Sequence, residues 1–337
     1  MALDVKVKID LKKPVGKAGF GYPLIMSYKS TGTAVSYTEC KSLNDFVTAG
    51  ATVGSDDYKV AAAMFSQDNA PEKIAYAVFV GNDASTGAVT SLATIINKGW
   101  RQLVTVGMNT AASAISEYIE STNKLYFVGV DDDILEESAA LITATQDRDR
   151  TVLVYAKTGY DALAGAVVGA TAGLDAGSFT YKNIIVKGQT PTDDDGILTS
   201  LDTLNVMTVT TKAGDIVTSE GKARSGEYID IIDSRDYIIQ SLEYKTQKVL
   251  NNTKKVPYDN NGIAMLESVA IDVMQDAYNK GMIAVDDDGA PAYTVSYALR
   301  SQTSESDIAA RKYVGGYFSF TLAGAIHKAE ITGEIIV

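Results

Sequence analysis

Residues 3–12, LDVKVKIDLK, alternate strictly between apolar and charged positions. Leu3, Val5, Val7, Ile9 and Leu11 fall on one side, and Asp4, Lys6, Lys8, Asp10 and Lys12 on the other. This is the period of a half-buried strand, whose successive side chains leave opposite faces of a pleated backbone. Pro14, Gly16, Gly19 and Gly21 follow at once, and no second strand returns within hairpin distance. The last residues repeat the pattern: Ala329, Ile331, Gly333, Ile335 and Val337 alternate with Lys328, Glu330, Thr332 and Glu334. Both ends therefore predict strands with an apolar face, unpaired backbone groups and no local partner. Such strands must join a distant sheet or another molecule.

Between them the pattern changes twice. A short apolar strand is predicted at 20–26, and helices at 42–49 and 55–66, the second capped by Ser55 with Asp56 and Asp57 in its first turn. Then apolar strands at 74–80, 103–106, 125–130 and 152–155 alternate with helical spacing at 88–97, 111–121, 134–143 and 161–174. Continuous apolar strands separated by amphipathic helices predict a parallel sheet buried on both faces, an α/β domain over 21–174.

After about Gly177 the reading becomes α+β. Strands are predicted at 206–211, 216–219 and 228–232, close enough for an antiparallel meander. Ser234 is read as the cap of a helix reaching about Leu250, because starting it at Tyr228 would place Arg235 in the apolar stripe. A second helix over 263–279 ends at Gly281 in the C′ position. Strands at 293–299 and 317–322 precede the terminal one.

At 337 residues, 46% hydrophobic and 21% charged, the chain is ordinary for a globular protein of two domains. Its 30 basic and 42 acidic residues give a net charge of −12, a poor basis for nucleic-acid binding. Single Cys40 leaves no internal disulfide and reads as a small core residue. The alternating N-terminus is no signal peptide, and the longest uncharged apolar stretch, 162–174, is shorter than a bilayer span of ~20 residues. These features predict a soluble product made in the cytosol, without membrane partners. The 19 tyrosines against a single tryptophan lean towards partly wet interfaces.

Candidate chemistry is sparse. Gly165, Gly169 and Gly173 follow a strand but lack dinucleotide spacing and sit inside a helix, which predicts close packing of that helix on the sheet. Gly221-Lys222 fails as a phosphate loop, because position 216 is Ile and Ala223 follows the lysine. The Asp triplets 131–133, 193–195 and 286–288 misalign with a calcium loop, since Pro191 and Ala284 would fall at the first ligand position. They read as turns and first-turn acids. His327 is the only histidine and lies in an apolar run, as a structural or interface residue. No catalytic constellation, metal set or cofactor motif emerges. Lys245, Lys248, Lys254 and Lys255 form one basic cluster against the acidic background, either a solvated helix end or a dock for an acidic partner.

Four segments of the second half carry a family likeness: FTYKNIIVKGQTP at 179–191, TSEGKARSGEYIDIIDSRDYI at 218–238, KKVPYDNNGIAMLESVAIDVMQDAYNKGMIA at 254–284 and SDIAARKYVGGYFSFTLAGAIHKAEI at 306–331. Together they resemble the contractile tail sheath proteins of myophages and phage-tail-like bacteriocins. The resemblance covers most of 178–337; residues 21–174 carry no matching motif. It implies an N-terminal arm at 1–20, an outer α/β domain at 21–174, a tube-proximal α+β domain at 175–325 and a C-terminal arm at 326–337. It implies a non-enzymatic subunit, without cofactor, of a helical array around an inner tube, and partners in other sheath subunits, the tube protein, the baseplate and the tail terminator. The array would belong to a virion tail or bacteriocin particle assembled in the host cytoplasm. Leu3 to Leu11, Ile331, Ile335 and Val337 would pair with neighbouring subunits. Pro14, Gly16 and Gly333 would serve as hinges, and the four lysines as tube-facing residues. The rival classes are a nucleotide-binding α/β enzyme, which needs a phosphate turn, and a surface-layer protein, which needs a secretion signal.

Overall fold

The computed structural model describes residues 21–135, 139–327 and 329. The chain divides into two compact units, with the division between Gln247 and Lys248.

The first unit is built on a six-stranded sheet. Its strands are β1 (Tyr22–Lys29), β2 (Val35–Cys40), β3 (Ile74–Val80), β4 (Trp100–Thr105), β5 (Leu125–Val130) and β6 (Thr151–Tyr155), in the order β2-β3-β1-β4-β5-β6. All neighbours are parallel except the edge pair β2–β3. Counted alone, the five parallel strands lie 2-1-3-4-5, the doubly wound order that puts helices on both faces.

Strand residues feed the two layers alternately, as a period of two requires. Ile25, Val104, Phe127, Val152 and Val154 meet α2 (Asp56–Phe65) and α6 (Tyr160–Thr171) on one face. Leu24, Met26, Leu103, Tyr126, Val128 and Leu153 meet α3 (Thr86–Ile95) and α4 (Asn109–Glu120) on the other. Helix α1 (Leu43–Thr48) starts at Ser42, whose hydroxyl accepts from the Asp45 N–H, and Ser55 caps α2 through the Tyr58 N–H. Cys40 is fully buried, and burial pushes its thiol up to about 11, so it is an inert core group.

Several expectations change. Strand β2 went unread because its alternation is polar and interrupted by a register shift between Val35 and Thr38. The helix expected over 134–143 is a single 3-10 turn at Asp132–Ile134 on one side of residues 136–138 and a short α5 (Ala140–Thr145) on the other. The glycine row packs α6 on α2, not on the sheet: a Cβ at Gly169 would lie 2.3 Å from the Met64 carbonyl oxygen, and one at Gly165 2.7 Å from Val60. Helix α7 (Asp195–Thr203) was missed, although Asp194 caps it through the Gly196 and Ile197 N–H groups.

Beyond α6 the chain stays with the sheet. Tyr181, Val186, Met207, Val209, Ile229 and Ile232 all enter the layer shared by α2 and α6. The free edge of β6 is closed by backbone bonds, Tyr155 N–H to Met207, Met207 N–H to Leu153 and Arg224 N–H to Thr151. The compact division therefore falls some seventy residues later than the change of pattern near Gly177 suggested. Strands β7 (Val209–Lys212) and β8 (Asp215–Thr218) form the expected hairpin across Ala213-Gly214. The third strand of the meander does not exist, because residues 229–232 are the first turn of α8 (Ile229–Asn252).

The second unit holds α9 (Asn260–Asn279), β9 (Tyr293–Tyr297), α10 (Glu305–Ala309) and β10 (Gly316–Phe320). Ile263, Val269, Ala270, Val273, Met274 and Ala277 make the buried stripe of α9. After Gly281, at φ +83°, the chain turns back, and β9 and β10 pair as an antiparallel two-stranded sheet.

Candidate functional site

The terminal residues expected to act between subunits, Leu3, Val5, Val7, Ile9, Leu11, Ile331, Ile335 and Val337, lie outside the described residues, as do Pro14, Gly16 and Gly333. The four lysines are described. Lys245 is half-buried on α8; Lys248 on the same helix and Lys254 and Lys255 in the segment after it are exposed.

A doubly wound sheet invites a ligand at the carboxyl ends of its strands, beside the reversal of strand order. Here Tyr28, near the end of β1, lies against the backbone of Gly81 and Gly87, where any Cβ would meet its hydroxyl. In the turn after β4, the Gly107 N–H donates to the Asp161 carboxylate at 2.9 Å. Burial raises that carboxyl to about 6; the Gly107 bond opposes the rise and Asp56 and Asp57 add to it. An aspartate aimed at the turn amide is the wrong charge for a phosphate site. The Asp triplets serve locally: Asp132 accepts from the Tyr155 hydroxyl, Asp193 from Thr210 and Thr211, and Asp286 from the Asp288 and Ala290 N–H groups. Among the described residues, no three His, Cys, Asp or Glu side chains group to hold a metal, and no helix is long and apolar enough to cross a membrane.

The buried chemistry of the first unit is an ionic cluster under α8. Arg101 on β4 donates to Asp233 at 2.6 Å and pairs with Asp236 at 2.8 Å. Arg150, just before β6, holds Asp236 with both terminal nitrogens at 2.6 and 2.9 Å. The Tyr181 hydroxyl donates to Asp233 at 2.9 Å. Burial alone would raise the Asp236 carboxyl, but Arg101 and Arg150 outweigh it and hold it below its ordinary value. At Asp233 burial wins and the carboxyl is raised, while Tyr181 is raised by burial and by that neighbour. This cluster explains the misread strand. The inward face of α8 carries Ile229, Ile232, Asp233 and Asp236, so it is part charge, and Arg235 turns outward, its side chain 46% exposed beside Asp149. A purely apolar stripe was the wrong template for a helix whose buried face is neutralised by arginines on the sheet.

The second unit leaves several large apolar side chains open. Leu299, Val314 and Tyr317 are about half exposed or more, and Ile326 is 89% exposed. No residue of β9 or β10 is fully buried. Two strands alone are marginal in water, and here α9 packs beside β9. In the pairing, the Ala298 N–H donates to Gly315 and the Thr321 N–H to Ala292. With the Tyr317–Ser296 and Ser319–Thr294 register, Tyr317 and Ser319 turn their backbone groups towards β9. Gly316, Phe318 and Phe320 then turn theirs outward, along an edge that pairs with no other strand among the described residues.

The fold as a whole matches solved sheath structures. A chain of the contracted helical sheath of the anti-feeding prophage superposes with a TM-score of 0.69 at 13% identity, over 98% of this chain and 99% of that one. The chain has the fold of a contractile sheath subunit. The PVC sheath of an extracellular contractile injection system, also contracted, gives 0.67 at 11% identity over 99% and 95%. The sheath tail protein of Listeria innocua gives 0.58 at 10% over 91% and 96%. At these identities the likeness is one of fold. No family model and no curated protein sequence matches the chain. With 98% of the chain covered, the similarity extends to residues 21–174, where sequence motifs offered no match.

Proposed function

We propose that this chain is the structural subunit of a contractile sheath, polymerising helically around an inner tube and driving it through a cell envelope by contracting. The observation that carries this reading is the end-to-end fold likeness to sheath chains, 98% of this chain on 99% of the anti-feeding prophage chain. The open edge of β10 and the exposed apolar groups around it support a second point. The alternating segments 3–12 and 329–337 of neighbouring copies add to the β9–β10 sheet, with Leu3, Val5, Val7, Ile9, Leu11, Ile331, Ile335 and Val337 supplying the apolar faces. Such contacts are heterologous and do not close, so they build a tube in place of a ring. Residues 1–20 and 326–337 are then arms, 21–174 the outer domain and 175–325 the tube-proximal part. Pro14, Gly16 and Gly333 give the arms their bends.

Contraction needs no nucleotide in this scheme. Roughly 300 Å² of further apolar burial per subunit, at ~25 cal/mol/Å², supplies ~7 kcal/mol, summed over many subunits. Assembly takes place in the host cytoplasm, on a baseplate, and ends at a tail terminator. Lys245, Lys248, Lys254 and Lys255 face the tube protein. Reversing Lys245 and Lys248 to Glu should weaken co-assembly with a tube; undiminished co-assembly refutes that placement. The arm hypothesis is tested by deleting residues 1–12. The truncated chain should stay folded by circular dichroism and form no tubes, and ordered tubes from it would contradict strand addition.

A further inference from the structure

The two edges of the β9–β10 sheet are not alike. On β9 the backbone groups of Tyr293, Val295 and Tyr297 point away from β10, by the same alternation that turns Phe318 outward. Two of those three N–H groups are already engaged. The Tyr297 N–H donates to the Glu267 carboxylate at 3.2 Å, and the Tyr293 N–H to the Pro291 carbonyl at 2.8 Å. Glu267 is held to this task by how α9 runs along the strand. Eight residues on, Gln275 meets the Tyr293 hydroxyl at 3.4 Å. Eight helical residues rise ~12 Å and four strand residues ~13 Å, so the two pairs keep step with helix and strand antiparallel. The Tyr297 ring is fixed in turn by stacking on Tyr313, whose hydroxyl donates to the Ala298 carbonyl at 2.8 Å. Of these three N–H groups only that of Val295 would be left to donate to a strand arriving at β9, and that strand would meet the Glu267 charge. On β10 no side chain among the described residues accepts from the outward N–H groups of Gly316, Phe318 and Phe320.

We propose that Glu267 guards β9: its carboxylate caps that edge, so a strand from a second copy of this chain is received on β10 alone. The proposal rests on the strand-addition reading above and gives it a direction. One guarded and one open edge lets a two-stranded sheet grow in a single sense, and it keeps unassembled copies from pairing edge to edge through β9.

Amide hydrogen exchange on the full chain, before and after tube assembly, tests it. Before assembly the Tyr297 amide should exchange about tenfold more slowly than that of Phe318, as one hydrogen bond implies. On assembly Phe318 should become protected and Tyr297 should change little. Glu267→Ala should bring the Tyr297 amide to the Phe318 rate and add non-tubular aggregates at a concentration where the wild type forms only tubes. Glu267→Gln, which keeps an acceptor oxygen, should behave as wild type. A Tyr297 amide that is fast in unassembled wild-type protein, or Glu267→Ala forming tubes alone, overturns the guard. Slow Tyr297 exchange with Phe318 still open in tubes overturns it from the other side, since strand addition at β10 itself then fails.

Discussion

Lys124 shows how a single buried charge makes stability depend on pH. Its ammonium donates to the backbone carbonyls of Lys98 and Trp100 and sits 4.7 Å from the Trp100 ring centre. Burial, with the Arg101 guanidinium adding to it, lowers this group to about 7. The unfolded lysine titrates near 10.4, so between those values the unfolded chain binds the extra proton and stability rises with pH. Below about pH 7 the cost of burying the charge is present in full. Lys124→Met removes the titration, so the wild type should gain on the order of 3 kcal/mol relative to the variant between pH 7 and pH 10, read from urea midpoints. A difference independent of pH would mean that the ammonium stays charged in the fold. At this scale the sequence was legible where a residue acts locally, as at Ser55 capping α2, and opaque where it acts at a distance. Asp233 and Asp236 find Arg101 and Arg150 more than 80 residues away, and no spacing rule connects such partners.

Helices and strands were legible in proportion to how uniformly their buried faces are apolar. All five parallel strands, sealed on both sides, were legible, β3, β5 and β6 to within a residue and β1 and β4 with ends displaced by up to three. Strand β2 escaped because an edge strand with a bulge has no clean alternation, and α8 was cut short because its inner face carries charge. The glycine row was correctly read as packing but assigned the wrong partner, since spacing reports a close approach and not what approaches. Gly169→Ala tests the corrected assignment. Alanine favours a helix over glycine by ~1 kcal/mol, yet its Cβ would stand 2.3 Å from the Met64 oxygen and 2.6 Å from its Cα. Forcing α2 and α6 apart should leave a net loss of ~1–3 kcal/mol in urea denaturation. A midpoint equal to or above the wild type would show that these helices have room to spare.

Across the whole chain, each unit carries a different part of the account. In the first, both layers of the sheet are filled, the β6 edge is closed and the charges under α8 are paired. The second presents a two-stranded sheet with one capped edge, one open edge and exposed apolar groups beside it. Further strands would stabilise such a surface, and residues 3–12 and 329–337 have the alternating residue pattern expected of strands. The proposed polymerisation rests on the sheath fold and on this strand edge. Negative-stain electron microscopy of the purified full-length chain tests that most directly. The account predicts striated hollow tubes of stacked subunits; a population of compact monomers at every concentration would contradict it.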